Sequence, residues 1–349
     1  MEKKDVKSMT LDELKSYMKE IGEKEFRGKQ IYEWMHKKLC TSYEEMLNIP
    51  GSLKEKCKEQ TVFTTLDLVT QQTSELDGTT KFLFALPDGN LVESVRMRYK
   101  HGNSVCISTQ VGCRMGCKFC ASGIDGLVRN LTPAEMLEQI YRIQRYDGER
   151  VTNVVLMGTG EPLDNYDNVL RFLILLSDEN GLNISQRNIT VSTCGLVPKI
   201  RQLAEEKLQI TLALSLHAPN DEKRKAIMPV ANSYSMEEVL RACRYYFEKT
   251  GRRLTFEYSL VHGVNDAKTD AMELSSKLRG LNCHVNLIPV NPVKELGFET
   301  VTRKSAESFM EQLIKCGINA TVRREMGRDI DGACGQLRRR CQERKVQSD

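Results

Sequence analysis

Downstream of residue 100 the chain alternates between two patterns. Short runs dense in apolar and β-branched residues occur at 104–109 (SVCIST), 153–157 (NVVLM), 188–193 (NITVST), 210–216 (ITLALSL), 254–260 (LTFEYSL) and 284–290 (HVNLIPV). Between and after them lie longer stretches in which apolar residues recur every three or four positions, near 133–146, 166–177, 197–206, 236–249, 267–279 and 303–316. The first pattern predicts buried strands and the second amphipathic helices. Two helices open on capping boxes: Thr132 to Glu135, with Pro133 at the first helical position, and Ser235 to Glu238. Six β–α units predict a parallel sheet with helices outside. Six is too few for a complete eight-stranded barrel, so the α/β fold expected is a partial (β/α)6 barrel.

Upstream the period changes. KFLFALP, then Asp88-Gly89-Asn90, then LVESVRMRY predicts a β-hairpin, because Asp-Gly favours the tight turn. Val92, Val95 and Met97 do not alternate cleanly, so the pattern leaves the register open. Leu11, Leu14, Met18 and Ile21 recur at helical spacing, as do Phe26, Ile31, Trp34 and Met35. The chain is therefore expected to comprise a helical accessory domain (1–75), a β-hairpin extension (76–103), and the barrel with a C-terminal segment (104–345). The helical module reads equally as a packing cap or an RNA-binding element.

Composition narrows the class. The 349 residues suit two domains or one large α/β barrel with an extension, and 40% hydrophobic residues can build a large core. A charged fraction of 28% excludes a disordered tail-like chain. The longest apolar runs, such as Phe172 to Leu176, are about a quarter of a bilayer span, so no membrane contact is expected. The N-terminus MEKKDVKSMTLDELK carries charge where a signal peptide needs an apolar stretch, so a cytoplasmic protein is expected. There thiols stay reduced, and 12 cysteines point to metal binding or catalysis.

In parallel α/β folds the ligand site lies at the C-terminal ends of the strands. Five features fall there: Cys113 to Cys120, Gly158 to Glu161, Ser192, Ser215 with His217, and Asn291. Cys113, Cys117 and Cys120 form C-x3-C-x2-C in the loop after the first strand. Thiolates at this spacing suit zinc or an iron–sulfur cluster. Structural zinc needs a fourth ligand, and no paired CxxC or HxxxH follows. Three ligands on a four-iron cluster leave one iron open to a cofactor or substrate. Cys194, Cys243, Cys283 and Cys316 sit in apolar patterns and read as core; Cys40, Cys57 and Cys341 have no assigned role.

This cysteine loop, with Phe119 before its last member, resembles the signature of radical S-adenosylmethionine (SAM) enzymes. The segments Cys106 to Cys113, Gly158 to Leu163, Ser215 to His217, Ile288 to Pro292 and Asp329 to Leu337 are similar to the adenine-C2 RNA methyltransferases of the RlmN type, in order over about residues 80 to 340. The resemblance implies a partial radical SAM barrel, one [4Fe-4S] cluster and SAM. It implies that Cys113, Cys117 and Cys120 hold the cluster, and that Gly160, Glu161, Ser192, Ser215, Leu216, His217 and Asn291 contact SAM. It further implies that Cys334 is methylated by one SAM, and that a 5′-deoxyadenosyl radical from a second SAM activates that methyl. Cys106 then resolves the RNA adduct through a transient Cys106–Cys334 disulfide, and Glu93 accepts the C2 proton. The implied substrates are 23S rRNA at the peptidyl-transferase centre and the tRNA adenosine 3′ of the anticodon. The implied reductant is a flavodoxin-like protein, and a monomer is expected.

Each role has a plainer counterpart. Cys106 in a strand reads by default as core, Cys334 as an inert loop thiol, and Glu93 as part of a solvated strand face. Gly158-Thr159-Gly160 lacks the dinucleotide fingerprint. Relatives commonly carry Gly-Met-Gly-Glu where this chain has Gly-Thr-Gly-Glu, while Pro162 fits the C2 enzymes better than the C8-methylating Cfr type. The readings left open are that C8 enzyme and a non-catalytic, zinc-bearing RNA-binding protein. The net charge of +4 is unevenly spread. Residues 94–130 hold six Arg and Lys against Asp125 (+5), and 323–345 hold eight against four acidic residues (+4). A basic rim around Cys106, the cysteine loop and Cys334 is thus expected, as for gripping phosphates.

Overall fold

The computed structural model describes residues 3–100, 102–291 and 297–346. Three helices, α1 (Leu11–Glu20), α2 (Phe26–His36) and α3 (Gly51–Gln60), form the N-terminal module, laced by the short parallel pair β1 (Lys4–Asp5) and β2 (Thr61–Val62). Helix α1 opens on a capping box, Thr10 with Glu13, absent from the sequence reading.

A ten-stranded sheet follows. Its antiparallel part is β3 (Asp67–Thr73), β4 (Thr80–Ala85), β5 (Leu91–Tyr99) and β6 (Gly102–Cys106). A small separate sheet, β7 (Gln110–Gly112) with β8 (Leu127–Asn130), brackets the cysteine loop. The parallel part runs from β6 to β9 (Val151–Leu156), β10 (Ile189–Thr193), β11 (Thr211–Ser215), β12 (Leu254–Leu260), β13 (Cys283–Pro289) and β14 (Ala320–Val322). The intervening helices are α4 (Pro133–Asp147), α5 (Tyr166–Ser177), α6 (Val197–Glu205), α7 (Asp221–Ile227), α8 (Met236–Thr250), α9 (Lys268–Leu278) and α10 (Arg303–Lys315); α11 (Gln336–Val346) closes the chain. The parallel strands lie in chain order, so successive β–α–β crossovers wind in one direction and curl the sheet into an open barrel.

All six expected parallel strands are present. A seventh, β14, escaped the pattern because it is three residues long and only partly buried. The hairpin is present with its Asp-Gly turn: Gly89 takes a φ of 82° and Leu86 N–H bonds Asn90 O at 2.8 Å. It belongs to the barrel sheet, because β5 pairs with β6 in continuous antiparallel register. Strand β3 lies before the boundary expected at 75 and pairs with β4. Its sequence DLVTQQT is mostly exposed on the sheet edge, so no apolar alternation announces it. Strand β5 fails to alternate because both its faces are covered. Ser94 and Arg96 face α4, through Gln139 and Asp147, while Glu93 faces the C-terminal segment.

The N-terminal module is docked on α4. Lys7 is fully buried, donates to Glu138 and to Thr64 O at 2.7 Å each, and sits 4.2 Å over the Phe63 ring. His36 Nδ1 lies 2.6 Å from the Tyr141 hydroxyl, and Arg145 donates to Leu39 O at 2.8 Å. No helix among the described residues is long and apolar enough to cross a membrane.

Candidate active site

The cysteine loop is rooted by backbone close approach. Thr109 and Gln110 N–H both bond Thr159 O, at 2.9 and 3.2 Å, and Gly158 N–H bonds Ile107 O at 3.0 Å. A Cβ on Gly158 would stand 2.6 Å from Ile107 O, and one on Gly160, whose φ is 109°, 2.6 Å from Gln110 Cβ. The Gly-Thr-Gly run therefore lets two strand-end loops touch. From this root Cys113 is tied to Gly126 O at 2.9 Å, and Lys118 N–H to Ile227 O at the end of α7 at 2.9 Å.

The three loop thiols are half-buried and lie within one another's field. Burial, reinforced by the neighbouring thiol of Cys120, raises Cys113 to about 11, and the same causes raise Cys117. Three thiols from one short loop, with no histidine or carboxylate beside them in the motif, are the soft donor set an iron–sulfur cluster takes, and the residues present fit that group.

Around this loop the expected cofactor residues divide. Ser192 and Ser215 present hydroxyls 3.4 Å apart at the ends of β10 and β11. Glu161 is buried and accepts from Leu163 N–H at 3.0 Å and Cys194 N–H at 2.7 Å; burial raises its pKa. His217 takes a left-handed φ of 55°. Its Nδ1 accepts from Ser259 N–H at 2.9 Å and its ring meets the edge of Phe119. Burial pushes it down to about 3, so it is neutral with its proton on Nε2. The Leu216 side chain is wholly buried, its N–H bonds Glu257 O and its carbonyl accepts from Arg224.

Asn291, Cys106, Cys120 and Cys334 line one cavity of about 450 Å³. Cys106 and Cys334 meet at Met157: the Cys334 thiol donates to Met157 O at 3.3 Å, and the Met157 backbone also hydrogen-bonds Cys106. Burial raises Cys106, and burial together with the adjacent Cys106 raises Cys334 to about 12.

Glu93 departs from the solvated face expected of it. It is 4% exposed, accepts from Gly335 N–H at 2.5 Å and Arg338 N–H at 2.7 Å, and pairs with Lys81 at 3.1 Å. Cys316 is half-exposed instead of core. The basic rim is also altered. Arg96, Arg114, Arg129, Arg338 and Arg340 are ion-paired with Asp147, Asp164, Glu135, Asp125 and Asp331. Arg323 and Arg324 line the cavity itself. Sequence reasoning missed Arg323, Lys81, and Arg224, whose buried guanidinium donates to Cys194 O at 2.6 Å. Their only sequence signal was charge, which reads by default as surface.

Comparison with known proteins agrees with this geometry. Residues 107–274 match the radical SAM superfamily, and residues 4–63 match the ribosomal RNA large subunit methyltransferase N-terminal domain. The chain is 60% identical over 345 residues to the "Probable dual-specificity RNA methyltransferase RlmN" of Lachnospira eligens, covering 99% of both chains. The chain belongs to the RlmN family. Its counterpart in Lachnoclostridium phytofermentans, named in the same words, is 60% identical over 97% of this chain and 95% of that one. The crystal structure of a radical SAM methyltransferase from Sphaerobacter thermophilus matches with a TM-score of 0.91 and 43% identity, over 95% of this chain and 98% of that one. This RlmN-family chain is thus a radical SAM RNA methyltransferase, of the RlmN and not the Cfr kind. Its cofactors are a [4Fe-4S] cluster and SAM, and the non-catalytic zinc reading falls away.

Proposed function

We propose that this enzyme methylates C2 of an adenosine in the peptidyl-transferase centre of 23S rRNA and of the tRNA adenosine 3′ of the anticodon, using Cys334 as methyl carrier and Cys106 as resolving thiol. The observation that carries this reading is the meeting of two thiols 228 positions apart at the Met157 peptide, in the cavity that also contains Cys120 and Asn291. An aromatic C2–H carbon is not a nucleophile, so its methylation needs the radical chemistry that the cluster and SAM supply when bound.

Cys113, Cys117 and Cys120 would hold the cluster. Glu161, a buried carboxylate met by hydrogen-bond donors and by no cation, suits an ammonium group of SAM. The Ser192 and Ser215 hydroxyls, Gly160, the His217 Nε2–H and the Asn291 side chain offer the remaining polar contacts. Cys334 loses its thiol proton when it gains its methyl group. Once its sulfur is bonded through CH2 to C2 of the base, Glu93 takes the C2 proton, and the one unpaired electron left on the ring would return to the cluster, which supplies one electron to SAM at the outset. The Cys106 thiolate then attacks the Cys334 sulfur: an S–S bond forms, the S–C bond breaks, and its electron pair leaves with the carbon, which is protonated to a methyl group. The resulting disulfide must be reduced for the next turnover, and a catalytic disulfide is tolerated in a reducing cytoplasm. A flavodoxin-like electron donor, a monomeric state, and a division into N-terminal, hairpin and barrel regions near 75 and 103 complete the reading.

Digestion of treated RNA followed by mass spectrometry against 2-methyl- and 8-methyladenosine standards tests it. The 2-methyl product is expected in both RNAs; 8-methyladenosine would overturn the C2 assignment.

A further inference from the structure

Cys334 sits in a segment that packs Leu337 on Leu83 and Leu91 and is held besides by polar contacts from β3, β4 and β5. Gln72 on β3 exchanges two 3.0 Å bonds with Asp331, one to its N–H and one from its own amide to the carboxylate. Ser74 donates to Asp329 at 2.6 Å. At the centre stands Lys81 on β4, with no solvent exposure. A lysine ammonium has three protons to donate. Here two are donated, to Asp331 O at 2.6 Å and to Ala333 O, and the ammonium is ion-paired with Glu93 Oε2 at 3.1 Å. Glu93 in turn accepts the N–H groups of Gly335 and Arg338. The pair therefore grips the chain on both sides of Cys334, carbonyls before it and N–H groups after it. Glu93 also answers the unpaired N–H groups at the start of α11.

We propose that Lys81 is the positioning residue of the methyl-carrying cysteine: it docks the Cys334 segment over Cys106, and it keeps the Glu93 carboxylate engaged until that segment shifts. Docking and proton acceptance then exclude one another. While the segment is held, both Glu93 oxygens are taken; when it swings toward a bound base, they are released. The catalytic side of this proposal rests on the roles given above to Cys334 and Glu93, but the docking itself is readable without turnover.

The test is the alkylation rate of Cys334, followed by peptide mass spectrometry on the full chain, with Cys316 as an internal reference far from the segment. Lys81→Met should raise Cys334 labelling by about tenfold or more, since docking protects the thiol as local structure protects amides, and leave Cys316 unchanged. Because Lys81→Met buries Glu93 without its partner, the charge-neutral Lys81→Met/Glu93→Gln double variant is measured beside it, and Gln72→Ala loosens the same segment from its exposed side. All three should expose Cys334. Wild-type labelling rates in folded Lys81→Met or in the double variant would overturn the proposal. With RNA and SAM, Lys81→Met should also form more 5′-deoxyadenosine per methyl group transferred than the parent. If the parent itself transferred no methyl group to RNA, the assigned function would fail while the labelling result still judged the docking.

Discussion

A thiol reacts as its thiolate, and burial works against that form. Cys334 is pushed up to about 12 and Cys106 is raised, so both carry protons at neutral pH. Their chemistry must therefore be switched on by what enters the cavity. The division of labour between them predicts separate failures. Cys106→Ala should leave RNA covalently attached to Cys334, visible as a protein–RNA species on a denaturing gel, because no second sulfur can displace the carbon. Free methylated RNA at normal yield would contradict its resolving role. Cys113→Ala should instead fail earlier, losing iron and sulfide after anaerobic reconstitution; a variant that kept the parental iron content would refute the ligand assignment. The cysteines were legible as reagents because thiols are scarce and their spacing is local. Glu93 and Lys81 were not, because a charged residue in an extended run is usually solvated, and only the fold reveals that the C-terminal segment covers that face.

At the scale of elements, the order of strands was legible because each parallel strand is a continuous apolar run between helices of clear period. What escaped were elements whose burial comes from an unusual direction. Strand β5 is covered on both faces and so lost its alternation; β3 lies on the sheet edge and so never had one. The glycines at 158 and 160 lack the dinucleotide fingerprint and are contact points between strand-end loops. That reading has a measurable consequence. Gly158→Ala drives a Cβ to 2.6 Å from Ile107 O, backbone that cannot swing aside, so the root of the cysteine loop must shift. A stability loss of about 1–3 kcal/mol by chemical denaturation is expected, in the range of overpacked sites, together with poorer iron loading. Gly51→Ala, whose Cβ would meet open space at the start of α3, should stay within about 0.5 kcal/mol of the parent. Equal behaviour of the two variants would remove the close-approach explanation.

Over the whole molecule, charge summed along the chain is a poor guide to field. The +9 counted in two segments is met by carboxylates from outside them, Asp147 against Arg96 and Asp164 against Arg114, pairings that exist only once the chain has folded. Burial of ionisable groups is likewise a property of assembly, and it fixes how stability depends on pH. His36 is sealed between the N-terminal module and α4, and His217 lies in the barrel mouth; burial pushes each down to about 3. In the unfolded chain each takes up a proton near pH 6.5, which the folded state refuses until far lower. The unfolded state therefore binds more protons below pH 6.5, and stability falls as acidity increases, by at most about 1.4 kcal/mol per pH unit for each histidine. Asp5, Glu161 and Glu257, raised by burial, act in the opposite sense, because the folded state takes their protons first, at a pH above the usual carboxylate range. The histidine term is isolated by His36→Gln, which keeps a polar group near Tyr141 but cannot titrate. Urea denaturation at pH 7.0, 6.0 and 5.0 should show the variant losing less stability than the parent over that interval, with a slope flatter by up to about 1.4 kcal/mol per pH unit. An unchanged slope would mean that the module detaches before the barrel unfolds, so that the Lys7–Glu138 and His36–Tyr141 contacts do not couple the two into one cooperative unit.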